Sequence, residues 1–231
     1  MPFIGRIPTP VPLTSSDIPD SIITDAKIVG MTSSKLSGAL PAISGASLTG
    51  IDAGTHVKIS ATTASGNGYI DFTSGIDSTY KEYLFKFNNI HGANDGTNFR
   101  IQFSTDGGSN FNVTNNFFML QAYNTTGDGG SSIGGETSDD GGGTTYVNIS
   151  RNSGNENDES VNGEIKITNP SGSTFFKHFV AIMPNYNYAD GSNLHIVGGY
   201  ASTTSAINAV RFLFSAGNID SGIITLYGVK T

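Results

Sequence analysis

No cysteine occurs among the 231 residues, which removes disulfide frameworks, zinc–thiolate sites, thiol nucleophiles and thiol redox switches from consideration. Charge is scarce too. Charged residues make up 13% of the chain, and 12 lysines and arginines stand against 19 aspartates and glutamates, a net charge of −7. With no basic surface to neutralise phosphates, nucleic-acid binding is not expected. Nowhere do about 18 apolar residues run together, the length a spanning helix needs, so no membrane insertion is expected. The opening Met1-Pro2-Phe3-Ile4-Gly5-Arg6 has neither a basic region followed by an apolar stretch nor a small-residue cleavage site. The expectation is a soluble chain that is not exported through a cleaved leader.

Aromatic residues are missing from most of the first third. Between Phe3 and Tyr69 there is no Phe or Tyr, and 22 of the 23 aromatics lie from Tyr69 onward, so the first sixty or so residues lack the bulk for a globular core of their own. Residues 1–24 carry Pro2, Pro8, Pro10, Pro12 and Pro19, which removes amide donors and favours extended or polyproline geometry. Such a segment reads as a strap. Residues 25–54 hold a degenerate repeat: Ala26-Lys27-Ile28-Val29-Gly30, Ser34-Lys35-Leu36-Ser37-Gly38 and Ala46-Ser47-Leu48-Thr49-Gly50. Each copy supplies one aliphatic residue and one turn. Several chains wound about a common axis could share a thin core of Ile28, Leu36, Leu40, Ile43, Leu48 and Ile51, which predicts a homotrimeric stem. A flexible Ser/Gly/Ala linker is the alternative for the same segment.

What the remainder does have is glycine, aromatic bulk and strand periodicity. Phe99, Ile101 and Phe103 alternate with Arg100 and Gln102, while Val161, Gly163, Ile165 and Ile167 alternate with Asn162, Glu164 and Lys166. Both patterns are those of antiparallel strands with one face buried. Further strands are predicted at residues 56–61, 69–73, 83–88, 117–123, 146–150, 175–183, 194–201, 210–215 and 223–230, separated by turn clusters such as Asn94-Asp95-Gly96 and Asp106-Gly107-Gly108. Residues 55–231 are therefore expected to form an all-β domain, an antiparallel β-sandwich of jelly-roll type.

Constellations for catalysis or metal binding are weak. His56, His91, His178 and His195 are scattered without zinc-ligand spacing, and no Gly-x-Ser-x-Gly elbow or phosphate-cradling loop is present. Asp128, Glu136, Asp139 and Asp140, with Glu156, Asp158 and Glu159 at a second site, are the best material for a carboxylate pair. Eight of the seventeen residues 127–143 are glycine, however, and catalytic carboxylates need rigid support. Neither an Asp-x-Asp-x-Asp-Gly loop nor a calcium nonapeptide repeat occurs, so these stretches read as solvated loops. No cofactor, no metal and no enzyme activity is expected. One loop suits binding: residues 184–193 combine Asn185, Tyr186, Tyr188 and Asp190, residue types that stack on sugar rings and hydrogen-bond their hydroxyls. The alternative is that both tyrosines cover the sandwich edge or pack on a neighbouring chain.

Several segments resemble a known family. Pro2-Phe3-Ile4-Gly5, the run from Val11 to Ile18 and the run from Ile22 to Ile28 are similar to the N-termini of tail-fibre and appendage proteins of tailed bacteriophages, particularly marine ones. The Leu36–Ile51 repeat resembles their linkers, and the segments 83–90, 104–111 and 221–230 resemble their terminal β-sandwich modules. The resemblance implies a homotrimeric virion protein whose N-terminal strap binds another virion protein and whose sandwich faces outward, either as a tail fibre that reaches a receptor directly or as a short structural spike; a host surface glycan is the partner expected for the 184–193 loop. A head-decorating fibre of the same build is the alternative, and a glycan-cleaving tailspike a third reading.

Overall fold

The computed structural model describes residues 54–127, 129–135 and 142–230. The strap and the stem core, Ile28, Leu36, Leu40, Ile43, Leu48 and Ile51, lie outside the described residues, as do Asp128, Glu136, Asp139 and Asp140. Thirteen strands run in chain order: β1 (His56–Thr63), β2 (Ile70–Phe72), β3 (Glu82–Gly92), β4 (Thr97–Ser104), β5 (Asn115–Thr125), β6 (Ser131–Gly135), β7 (Gly142–Thr144), β8 (Val147–Ser153), β9 (Val161–Thr168), β10 (Lys177–Asn187), β11 (Gly191–Ala201), β12 (Ala209–Phe214) and β13 (Ile219–Val229). No helix occurs among the described residues, so none is long and apolar enough to cross a membrane.

All pairings are antiparallel. One layer follows the order β1-β13-β3-β9-β10-β11-β5, with β6 and β7 on the far side of β5; the other is β8-β4-β12-β2. A single pairing between Asn187 and Ser153 joins the layers at β10 and β8, so the sheet folds over itself and nearly closes. The all-β antiparallel expectation holds. Alternation decides what lies between the layers: Phe99, Ile101 and Phe103 of β4 and Val161, Ile165 and Ile167 of β9 are all buried. At the centre, Phe212 of β12 meets the rings of Phe85 at 5.0 Å, Phe87 at 5.1 Å, Phe99 at 6.0 Å and Phe72 at 6.1 Å. Three of these four contacts are edge-on, the arrangement that ring quadrupoles favour. Further along, Phe103 meets Phe179 at 5.6 Å.

Two departures from the sequence reading have clear causes. β6 and β7 fall in the Gly-rich stretch read as solvated loop. Ser-Ser-Ile-Gly-Gly has little strand propensity of its own, and its pairing with residues 120–124 of β5 supplies the order. The 184–193 loop, in turn, is mostly strand, because β10 continues to Asn187 and β11 resumes at Gly191. Asn187 makes the short turn: its Oδ1 accepts from the amides of Ala189 and Gly191, both at 2.9 Å, and Asp190 takes a positive φ of 54°. Asparagine and aspartate tolerate these roles, and they resemble loop formers in sequence for the same reason.

Polar groups also lock the interior and the outer face. The fully buried ammonium of Lys177 donates to the carbonyls of Phe175 at 2.6 Å, Thr204 at 3.1 Å and Thr203 at 3.4 Å. Burial lowers its pKa, and the three carbonyls substitute for lost water. On the outside of the second layer, Arg211 makes a two-pronged bond to Asp71 at 2.7 and 2.8 Å. Its guanidinium lies between the rings of Tyr69 at 3.8 Å and Phe111 at 4.2 Å, which ties the short edge strand β2 to β12.

β9 carries a further constraint at Gly163, whose φ is +125° and where an added Cβ would strike the carbonyl oxygen of Ile182. Opposite it, β3 inserts an extra residue around Asn88 and Asn89, the latter at φ 50°. Gly163→Ala is expected to cost about 2 kcal/mol through backbone strain and displacement of β10. Urea unfolding measures this as a lowered midpoint at unchanged slope. A loss below about 0.5 kcal/mol, the ordinary range of surface substitutions, would show that β9 relaxes without cost.

Candidate functional site

The interruption at Asn88, Asn89 and Gly163 shapes the outer surface. Beside the bulge of β3, and with Pro184 of β10 having no amide to give, the β9–β10 pairing is interrupted between Glu164–Ile182 and Val161–Asn185. The result is a shallow groove of two adjoining depressions that share Asn162 and Pro184. One, of about 360 Å³, is bordered by Lys86, Asn88, Asn162, Glu164 and Pro184, with the exposed Ile182 as its apolar wall. The other, of about 280 Å³, is bordered by Ser160, Asn162, Pro184, Tyr186 and Ser192.

Asn162 stands at the junction and is held at both ends. Its Oδ1 accepts the backbone amide of Asn89 at 2.8 Å, and its Nδ2 donates to Ser160 Oγ at 3.1 Å. The amide of Tyr186 donates to the Ser160 carbonyl at 3.2 Å, so hydroxyl, carboxamide and aromatic ring are fixed by strand pairing instead of by a loose loop. At the far end, Lys86 meets Glu164 at 3.7 Å and Lys166 meets Glu82 at 3.3 Å, a checkerboard that cancels charge along the groove. These ion pairs are half exposed and contribute little stability. A groove with one ring, several amides and hydroxyls and no net charge matches a flat polyhydroxy ligand such as a sugar chain.

The four residues singled out for glycan contact part company. Tyr186 is half-buried on the outer face, its hydroxyl 3.5 Å from Asp190 Oδ1. Tyr188, 52% exposed, lies over Gly96 of the β3–β4 turn, and its amide donates to the Asn152 carbonyl at 3.1 Å. Asp190 is exposed in the turn, while its carbonyl accepts from Thr126. Asn185 points into the sandwich, its Nδ2 donating to the Arg151 carbonyl at 2.9 Å and approaching Ser153 Oγ at 3.5 Å. Its carboxamide is thereby committed to the fold. Ser160, Asn162 and Asn88 escape sequence reasoning because they come from the entry to β9, from β9 itself and from β3. The signal that could have found Asn162 is its position on the polar face of the β9 alternation, next to an in-phase glycine.

The second acidic cluster is partly structural. Glu159 is buried against Gly154 and accepts the Glu156 amide at 2.7 Å. Beside it, His91 Nε2 is 3.1 Å from the Glu156 carbonyl and Nδ1 is 3.9 Å from Asp220. That commits the imidazole to bracing the β8–β9 loop. Among the described residues no three His, Asp or Glu side chains converge as a metal site would require. Neither a known protein family, nor a curated protein, nor a solved structure matches the chain.

Proposed function

We propose that this chain is a non-enzymatic structural protein of a tailed-phage particle. In this reading it is a homotrimeric tail fibre or spike held by its N-terminal strap on another virion protein, presenting a jelly-roll-like β-sandwich outward for host attachment. The observation that carries the attachment role is the neutral groove centred on Asn162 and Tyr186, where a fixed carboxamide, two serine hydroxyls and an aromatic face line one open, rigid ladder. The resemblance of the N-terminal and repeat segments to phage appendage proteins supports the setting in the virion.

Tyr186→Ala should weaken binding of the intact protein to host surface polysaccharide roughly two- to tenfold, since stacking on one ring contributes roughly 0.5–1.5 kcal/mol beyond burial. Asn162→Ala should cost a comparable factor by removing the oriented amide. Immobilised polysaccharide and purified variants of unchanged melting temperature measure both effects. Undiminished binding by both variants would return Tyr186 to a packing role. Shortened glycan chains after incubation would instead identify a tailspike enzyme, and immunogold label on heads in place of tails would identify a head-decorating fibre.

A further inference from the structure

β10 is apolar on both sides. Phe179, Ala181 and Met183 face the core, yet Val180 and Ile182 face outward. Its neighbours repeat the pattern: Phe117 and Met119 of β5 are buried while Phe118 is exposed, and Val197 of β11 is buried while Leu194 is exposed. Continuous apolar runs of this kind belong to strands covered on both faces, but only the inner face is covered by described residues of this chain.

Register gathers the outward residues into one patch. Leu120 of β5 pairs with Ile196 of β11, which pairs with Ile182 of β10, forming a ridge across three strands. Phe118 and Val180 flank it on one side. On the other, Ile133 of β6, 71% exposed, pairs beside Ala122. An isolated exposed aliphatic residue needs no explanation; this contiguous ridge does.

We propose that the outer face of β5, β11 and β10 is an interface between copies of this chain. Charge favours a second copy. Chains that each carry −7 repel one another, and the outward residues of these three strands include no carboxylate, so this face brings two copies together without opposing like charges. Shape favours it as well. Gly198 lies between Phe118 and Val180, where an added Cβ would stand 3.1 Å from the Phe118 ring. It floors a concavity of about 520 Å³ walled by Phe118, His178 and Tyr200. The ridge and the concavity lie side by side on one surface, so the ridge of one copy can seat in the concavity of the next, the heterologous contact that closes a ring of copies. Three strands of 11 residues, at ~3.4 Å per residue and ~4.8 Å apart, present roughly 500 Å². Adding β6 brings the face to about 600 Å², within the roughly 600–1,000 Å² each partner contributes to a stable interface.

The inference deepens the self-association in the reading above, and it does not depend on glycan binding. Because the chain has no cysteine, Ile196→Cys in the full-length protein is a single reporter at the centre of the ridge, and Ser109→Cys, exposed on the β4–β5 connection, is the control. Maleimide labelling is followed from nanomolar to about 100 µM protein beside sedimentation equilibrium. The expected result is a rate at position 196 that falls roughly tenfold or more as the mass rises to a multiple of 24.1 kDa, as linkage of burial to association demands, with no change at position 109. A mass multiple with position 196 still fast would place the association elsewhere and overturn this interface while leaving the homotrimer standing. A monomer with position 196 fast overturns both. Slow labelling of position 196 in a monomer would show that the chain's own residues cover the face, and overturns the interface as well. As a second variant, Ile196→Asp should lower the association constant at least tenfold while keeping the far-ultraviolet β signature; an unchanged constant in the folded variant rejects the interface.

Discussion

Phe212→Ala should bring the sandwich to the edge of unfolding, with an expected loss of roughly 3–5 kcal/mol. The ring is fully buried and belongs to the β8-β4-β12-β2 layer, yet two of its closest neighbours, Phe85 at 5.0 Å and Phe87 at 5.1 Å, lie on β3 of the other layer. Removing it deletes the transfer free energy of the ring. It also opens a cavity that four surrounding aromatic side chains, each pinned in its own strand, cannot collapse to fill. A domain of this size is stable by roughly 5–15 kcal/mol, so the loss would consume a large fraction of the total. Phe212→Leu retains most of the volume and should recover more than half of the loss, because a branched aliphatic leaves a smaller void. Phe175→Ala serves as the contrast: at 73% exposure it should stay within about 0.5 kcal/mol. Urea titrations of the three variants measure these differences. If Phe212→Ala costs no more than Phe175→Ala, the aromatic cluster is not what holds the layers together.

That cluster was largely legible in advance. Phe99, Ile101 and Phe103 alternate with polar residues over a turn-bounded segment, and the buried faces of β4 and β9 follow from that pattern. Where reading failed, non-local pairing had overridden local chemistry. β6 is ordered by its partner β5 despite its serines and glycines, and the end of β10 stays extended through Pro184 and Asn185 because β11 pairs with it residue for residue. The candidate site was legible at one residue. Tyr186 stands out by composition, but Asn162 joins it only because β9 and β10 are neighbours, and the groove exists only because of the bulge opposite Gly163. Lys177 and His195 carry a sequence signal that was open to use: each is in phase with the inward residues of its strand, Phe179 and Ala181 in one case and Val197 in the other. Alternation therefore places a cation and an imidazole inside the sandwich.

The inward imidazole leads to a second large effect, acid sensitivity. His195 is fully buried and neither ring nitrogen has a hydrogen-bond partner of good geometry. Burial chiefly, then the positive charge of Arg151, pushes its pKa down to about 4, and the Met183 backbone opposes them only in part. In the unfolded chain the imidazole titrates near ~6.5. Between these values the unfolded chain binds the proton and the folded one does not, so stability is retained above about pH 6.5 and falls as the pH drops toward 4. Integrated from pH 7.5 to 4.0, the loss assigned to this one residue is about 3 kcal/mol. His195→Leu removes the titration while keeping an apolar side chain in place. Carboxylates elsewhere titrate in both proteins, so the difference between the two pH profiles isolates the imidazole. The variant is expected to lose about 3 kcal/mol less than wild type on acidification across that range, measured by urea unfolding at matched ionic strength. Parallel profiles would mean that the folded protein accepts the proton at His195, through local opening of β11 or an approaching carboxylate, at no cost to the sandwich.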